Sequence, residues 1–394
     1  MKERQPRHSA VGYLSAGHLV TDMTQGALPA MLPLLIDVRH LNYTLAGGLI
    51  LALSATSSIV QPLFGHFADR LAKPWLMPAG LLLTGLGMSL VGLAPDYWSI
   101  ALVVGICGIG VAAFHPEAAR LANSTAKENK ATAMSIFSFG GNAGFALGPI
   151  LSGVILQLSG LRGTLLLALP CFLMAAILIT QLRRFNVPAP VASAHMPAHD
   201  VAGAGDAWGP FAWLSLAIIC RSIVFYGLIT FLPLYWIHIL HQRQLASASL
   251  TVLFTAGAIG TLLGGRLADR IGYRATMCLG FGLSIPLFLL LQYITNPYFA
   301  LAMLIPMALT FYAPFSAMVV RGQQYLPNRI GLSSGVTLGL SVSIGGAVTP
   351  LLGRLADTHG IPATLTVVAL LPILALIIVS TLPEVKKASP VLVA

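Results

Sequence analysis

A chain of 394 residues that is 56% hydrophobic and only 9% charged cannot give itself a water-compatible surface, since soluble domains carry about 25% charged residues. With a mean hydropathy of +0.84, it reads as an all-α integral membrane protein. The net charge of +10 does not indicate nucleic acid, because Lys and Arg stand singly or in short clusters between apolar runs rather than along one element.

The basic N-terminus, with Lys2, Arg4 and Arg7, precedes an apolar run too long for the core of a cleaved leader, so it reads as a retained first span. A span needs about 20 apolar residues. Breaks at Pro, Gly and charged clusters predict spans near 11–36, 45–68, 75–94, 97–120, 131–157 and 163–182, then 210–237, 247–268, 275–294, 298–320, 330–356 and 362–382. Between the sixth and seventh, "RRFNVPAPVASAHMPAHDVAGAGDAWGP" has no helical period and reads as a linker. The predicted organisation is an N-terminal six-helix bundle over 1–184, a cytoplasmic linker over 185–209 and a C-terminal six-helix bundle over 210–394. Apart from the intramembrane Arg221, only Arg39, Arg162, Arg243 and Arg354 fall on the side opposite the other Lys and Arg residues. That asymmetry puts both termini in the cytoplasm. Cys107, Cys171, Cys220 and Cys278 lie inside apolar runs without C-x-x-C spacing, which argues against disulfide or metal roles.

The halves repeat. "GHFADRLAKPW" begins at Gly65 and "GRLADRIGYRA" at Gly265, an offset of 200 residues. "FALGPILSGV" and "SIGGAVTPLLGR" match at a similar offset through Pro149 and Pro350. On the twelve spans, the central linker and the repeated G-x-x-A-D-R loops, the chain resembles the major facilitator superfamily over nearly its whole length. Within it, "GHLVTDMTQG", "QPLFGHFADR", "AFHPEAAR" and "GGNAGFALGP" are similar to the bacterial fosmidomycin-resistance efflux proteins. The resemblance implies two bundles related by a pseudo-two-fold axis, alternating between inward-open and outward-open states, and a transporter rather than an enzyme. It also implies that Gly65, Asp69 and Arg70, with the second copy Gly265, Asp269 and Arg270, act as a cytoplasmic latch. The bland alternative is a set of ordinary loop charges that orient the helix. Gly140, Gly144 and Gly148 stand four apart, a spacing for close helix contact, and Pro149 bends the helix after them. This stretch resembles the family's antiporter motif, with Ser152 where glycine is usual.

The ionisable groups inside spans carry the functional expectation, because charge at that depth normally faces a cavity or a partner. His18 and Asp22 share one face of span one. His115 and Glu117, two apart on span four, cannot face the same way unless Pro116 distorts the turn. Span four lacks the arginine of many drug antiporters and has Val104 and Cys107 in that region instead. Asp22 is the first candidate for proton coupling, with His18, Glu117 and His115 beside it. Arg221 on span seven is the candidate partner of Asp22 or anchor of substrate. Asn142, Gln61 and Tyr226 are further candidates for substrate hydrogen bonds, or for bonds to neighbouring helices. A structural ion pair holding the bundles in register is the alternative for the charges. No nucleotide loop and no zinc spacing occur, so no cofactor and no metal are expected, and energy must come from an ion gradient or from the substrate itself. The expected function is a proton-coupled exporter of small drugs or metabolites, monomeric in the bacterial inner membrane, with substrate, protons and lipid as partners and no nucleic acid. The alternative is a proton symporter importing a small organic anion.

Overall fold

The computed structural model describes residues 5–61, 64, 73–125, 130–182, 205–329, 332–333 and 335–384. Gly65, Asp69 and Arg70 lie outside the described residues, as does most of the linker. In lipid a backbone must satisfy its own hydrogen bonds, and the apolar runs accordingly fold as helices. These are α1 (Gln5–Arg39), α2 (Tyr43–Ile59), α3 (Leu76–Leu90), α4 (Tyr97–Thr125), α5 (Lys130–Ser159) and α6 (Ala168–Gln181). The second half has α7 (Trp208–His238), α8 (Arg243–Ile271), α9 (Tyr273–Leu291), α10 (Pro297–Tyr312), α11 (Pro314–Tyr325) and α12 (Ser341–Thr381).

Helices and spans are not one-to-one. Span ten, read as one run, is built from α10 and α11, broken where Pro314 withholds its N–H. Conversely, α12 holds spans eleven and twelve, because Gly360 at φ 85° folds the chain back inside it. A 3₁₀ segment, Gly160–Leu167, similarly joins α5 to α6. Among the described residues eight runs are long and apolar enough to cross a membrane, two of which contain two spans each, and the shorter α2 and α3 complete twelve.

The repeat is written into the backbone as well as the sequence. Left-handed φ values recur at His40 (51°), which ends α1, and His241 (54°), in the turn that follows α7, and at Gly160 (58°) and Gly360 (85°), which turn span five into six and span eleven into twelve. A residue in this conformation at a helix C-terminus lets the chain leave the helix while its last carbonyls find amides. Leu41 N–H donates to the Ile36 carbonyl at 3.2 Å and Gln242 N–H to that of Trp236 at 2.8 Å.

The predicted glycine stripe does pack backbone to backbone. Gly140 meets Ser15, Gly144 meets Leu19 and Met23, and Gly148 meets Met23 and Ala27, so α5 lies against α1 along its length. Trp98, Tyr293 and Tyr298 are exposed at one end of the spans, and Trp75, Trp208 and Trp213 at the other, the positions of interfacial aromatic belts.

The buried core shows which end is shut. At the end holding the α1–α2 and α7–α8 turns, Leu28, Met31, Leu35 and Leu49 join Phe231, Leu234, Trp236 and Leu250 in one cluster that runs through both halves. At the other end the core divides. Leu14, Phe114 and Leu178 belong to the first half alone, and Leu214, Phe281, Met318 and Ile378 to the second alone.

Candidate transport site

Between the divided ends lies a cavity of about 600 Å³, lined from both halves by residues that include His18, Asp22, Asn142, Arg221, Tyr312 and Phe315. On the first-half wall α1 presents His18 and Asp22, one turn apart. Gly141 on α5 makes room for them, since a Cβ there would lie 2.5 Å from His18 and 2.7 Å from Asp22. His115 reaches the same Asp22 from α4. The Asp22 carboxylate is shared: its Oδ2 is 3.1 Å from His18 Nε2 and its Oδ1 is 3.1 Å from His115 Nε2. Each ring is fixed from behind, His18 Nδ1 donating to the Phe137 carbonyl at 2.8 Å and His115 Nδ1 to that of Val111 at 2.9 Å. His18 also stacks on Phe137, ring centroids 4.2 Å apart. Among the described residues these three side chains form the one group with ligand atoms close enough, within 4.8 Å, to hold a metal ion. The chain has no metal-binding motif, and each of the three already has hydrogen-bond partners.

Arg221 on α7 is buried in the opposite wall. Its guanidinium carbon lies 5.2 Å from the Phe311 ring centroid, 5.4 Å from that of Tyr312 and 4.5 Å from that of Phe315, within cation–π range. Among the described residues no carboxylate lies within ion-pair distance of it. Its Nε and the Tyr312 hydroxyl are both buried without a hydrogen-bond partner. Arg221 therefore does not pair with Asp22, whose partners are the two histidines.

Other expected residues are placed apart from this cavity. Glu117 is fully buried, but Arg120 takes it in a two-pronged pair, Nη2 to Oε1 at 2.6 Å and Nε to Oε2 at 3.0 Å. The helix runs unbroken through Pro116, so His115 and Glu117 do point apart, and His115 takes the side facing Asp22. Gln61 is exposed just beyond α2, and only Asn142 of the three neutral polar candidates lines the cavity. Tyr226 instead lines a separate void of about 40 Å³ with Gln25 and Ser54. Phe145, Phe225 and Phe254 border both spaces and divide them, with Phe254 5.4 Å from Phe145 and 6.3 Å from Phe225 between ring centroids. Asp269 and Arg270 are exposed at the end of α8 without an ion pair among the described residues. Beside them Gly264 packs on Ala313, while Gly265 meets only the Ser316 side chain at 3.9 Å.

The shut end is fastened by polar contacts between the halves. The Asp357 carboxylate, from α12, accepts the amides of Tyr43 and Thr44 at 2.8 and 2.9 Å and so caps α2. Arg243 pairs with Asp37 at 2.5 Å. Gly47 of α2 lies so close to α12 that a Cβ would come within 2.5 Å of the Thr349 carbonyl. A carboxylate at a helix N-terminus is worth about 0.3–1 kcal/mol. Asp357→Asn is therefore expected to raise the open population of this end about twofold to fivefold. Labelling of a Ser54→Cys reporter by a membrane-impermeant maleimide measures it, and an unchanged rate would show the cap to be dispensable.

Two pseudo-symmetric sets of membrane spans, with a charged cavity between them that is shut at one end, define a two-bundle helical membrane transporter. The chain belongs to the Major Facilitator Superfamily, whose family model matches residues 14–336. It is 32% identical over 366 residues to the uncharacterised transporter YfnC of Bacillus subtilis, covering 91% of this chain and 89% of that one. It is 30% identical over 381 residues to the fosmidomycin resistance protein of Escherichia coli, covering 93% and 91%. In three dimensions it is similar to a bacterial homologue of the human lysosomal transporter Spinster in its inward-facing, unoccupied conformation, with a TM-score of 0.80, 18% identity and coverage of 96% and 98%.

Proposed function

We propose that this transporter is a proton-coupled exporter of small drugs or metabolites, with fosmidomycin-like antibiotics as the leading substrate class. The observation that carries this reading is the placement of Asp22, bonded to His18 and His115, on one cavity wall, facing a second wall that holds Arg221, which has no ion pair among the described residues. Burial raises the cost of every unpaired charge, so the protonation of this cluster and the occupancy of the cavity influence each other. The charge asymmetry of the loops supports both termini in the cytoplasm of the bacterial inner membrane. The divided end then faces the cytoplasm and the shut end the periplasm. Protons enter from outside while the substrate leaves, and the 30% identical relative that bears a resistance name supports that direction.

The test is a drug-susceptibility panel with fosmidomycin in it, run on cells expressing the chain, together with everted-vesicle uptake under an imposed pH gradient. Export predicts raised tolerance to at least one compound, and vesicle accumulation that collapses with a protonophore. Accumulation in right-side-out vesicles instead would reverse the direction and favour import of an organic anion.

A further inference from the structure

The hydrogen-bond pattern around Asp22 bears on how many protons the cluster carries. A carbonyl oxygen can only accept, so the bonds to Phe137 and Val111 place a hydrogen on Nδ1 of both His18 and His115. A neutral imidazole has one ring hydrogen, and it is spent there. Each Nε2 would then turn a lone pair toward a carboxylate oxygen that is itself only an acceptor, at 3.1 Å. Two acceptors at hydrogen-bond distance in a buried site repel each other unless a proton lies between them. There are two such contacts, on different oxygens of one carboxylate. We infer that His18, Asp22 and His115 together load two protons in each transport cycle, one at each nitrogen–oxygen contact. This rests on the cluster being the proton site.

The charge of the cluster passes from −1 with both contacts empty to +1 with both filled, whichever atom of each pair holds the proton. Among the described residues, the other ionisable groups on the elements packed around it do not disturb this count. Glu117 and Arg120 on α4 neutralise each other, and α3 and α5 contribute none in the region of the cluster. Cys171 on α6 is hydrogen-bonded to Thr24, and Cys107 is buried in the core. Tyr13 on α1 packs into the first-half core. Across the cavity stand Arg221, which opposes the second proton, and Tyr312. A bare imidazole beside an ionised carboxylate is thus the unstable arrangement, and a single carboxylate serves two carriers.

The experiment counts protons on the purified, full-length protein with a pH indicator after an acid jump. Two groups that titrate independently predict that Asp22→Asn, which removes one acid, leaves histidine uptake near neutral pH intact. The shared carboxylate predicts that this one substitution removes both protons from that range, and that His115→Gln and His18→Gln each remove one. In proteoliposomes with fosmidomycin as probe, a stoichiometry of two supports about a hundredfold substrate gradient per pH unit at zero potential, and His115→Gln lowers it to about tenfold. Loss of at most one proton in Asp22→Asn overturns the inference, as does a wild-type gradient of only tenfold per pH unit or a transition metal retained at one per chain. If fosmidomycin is not moved against a gradient by any of these proteins, its assignment as the leading substrate fails on the vesicle arm, and the proton count still decides the stoichiometry.

Discussion

Asp22→Asn is expected to abolish uphill transport, by at least about a hundredfold, while the protein still inserts and folds. The amide keeps the size of the side chain but cannot carry the negative charge that faces both histidines at 3.1 Å. Breaking a buried pair by removing one partner costs about 3–5 kcal/mol when the other stays charged. His18 and His115 in the variant therefore remain neutral, and the cavity wall no longer responds to pH. Exchange of substrate down its own gradient needs no proton cycle and is expected to survive. Counterflow and pH-driven uptake, measured on the same vesicles, separate the two. Wild-type accumulation by Asp22→Asn would remove this carboxylate from the coupling mechanism.

Arg221→Gln should weaken the binding of anionic substrates by about ten- to a hundredfold and change that of neutral analogues by less than about twofold. The range follows from the value of a hydrogen bond to a charged group, about 1.5–3 kcal/mol. The reason to expect an anion is that the guanidinium is buried, carries an unpartnered Nε, lies among the rings of Phe311, Tyr312 and Phe315, and has no carboxylate partner among the described residues. The neighbouring Tyr312 hydroxyl, also without a partner, adds a second donor to the same cavity. Binding measured by calorimetry for a phosphonate and its neutral ester decides the matter, and equal losses for the two would assign Arg221 a packing role.

The architecture was legible because lipid allows few solutions. Long apolar runs, punctuated by Pro, Gly and Arg, correspond to helices, and a 200-residue echo in "ADR" and in Pro149 and Pro350 corresponds to an echo in backbone angles. His18 and Asp22 were legible for the same reason, since a spacing of four fixes a shared helix face. The choice between His115 and Glu117 was not, because it depends on which neighbours α1 and α5 bring to each side of α4. One signal was available: Arg120 stands three residues after Glu117, a spacing at which helical charges meet. The aromatic wall of Phe225, Phe254, Tyr312 and Phe315 carried no signal at all. Phenylalanine facing a cavity and phenylalanine facing lipid are the same letter, and only the packing of helices from both halves distinguishes them.

Every bond of the acidic cluster begins and ends in the first six spans: His18 and Asp22 on α1, His115 and the Val111 carbonyl on α4, the Phe137 carbonyl on α5. Arg221 and its rings belong wholly to the other six. Rocking one bundle against the other therefore stretches none of these contacts, and the two charge centres travel as passengers on separate bodies. What passes between them is a field. At roughly 10 Å two unit charges interact by about 0.4 kcal/mol through water and by about 1.7 kcal/mol at an effective dielectric of 20. Under the proposed coupling, the conversation between cargo and proton is thus nearly silent while the cavity is flooded and becomes audible as it drains.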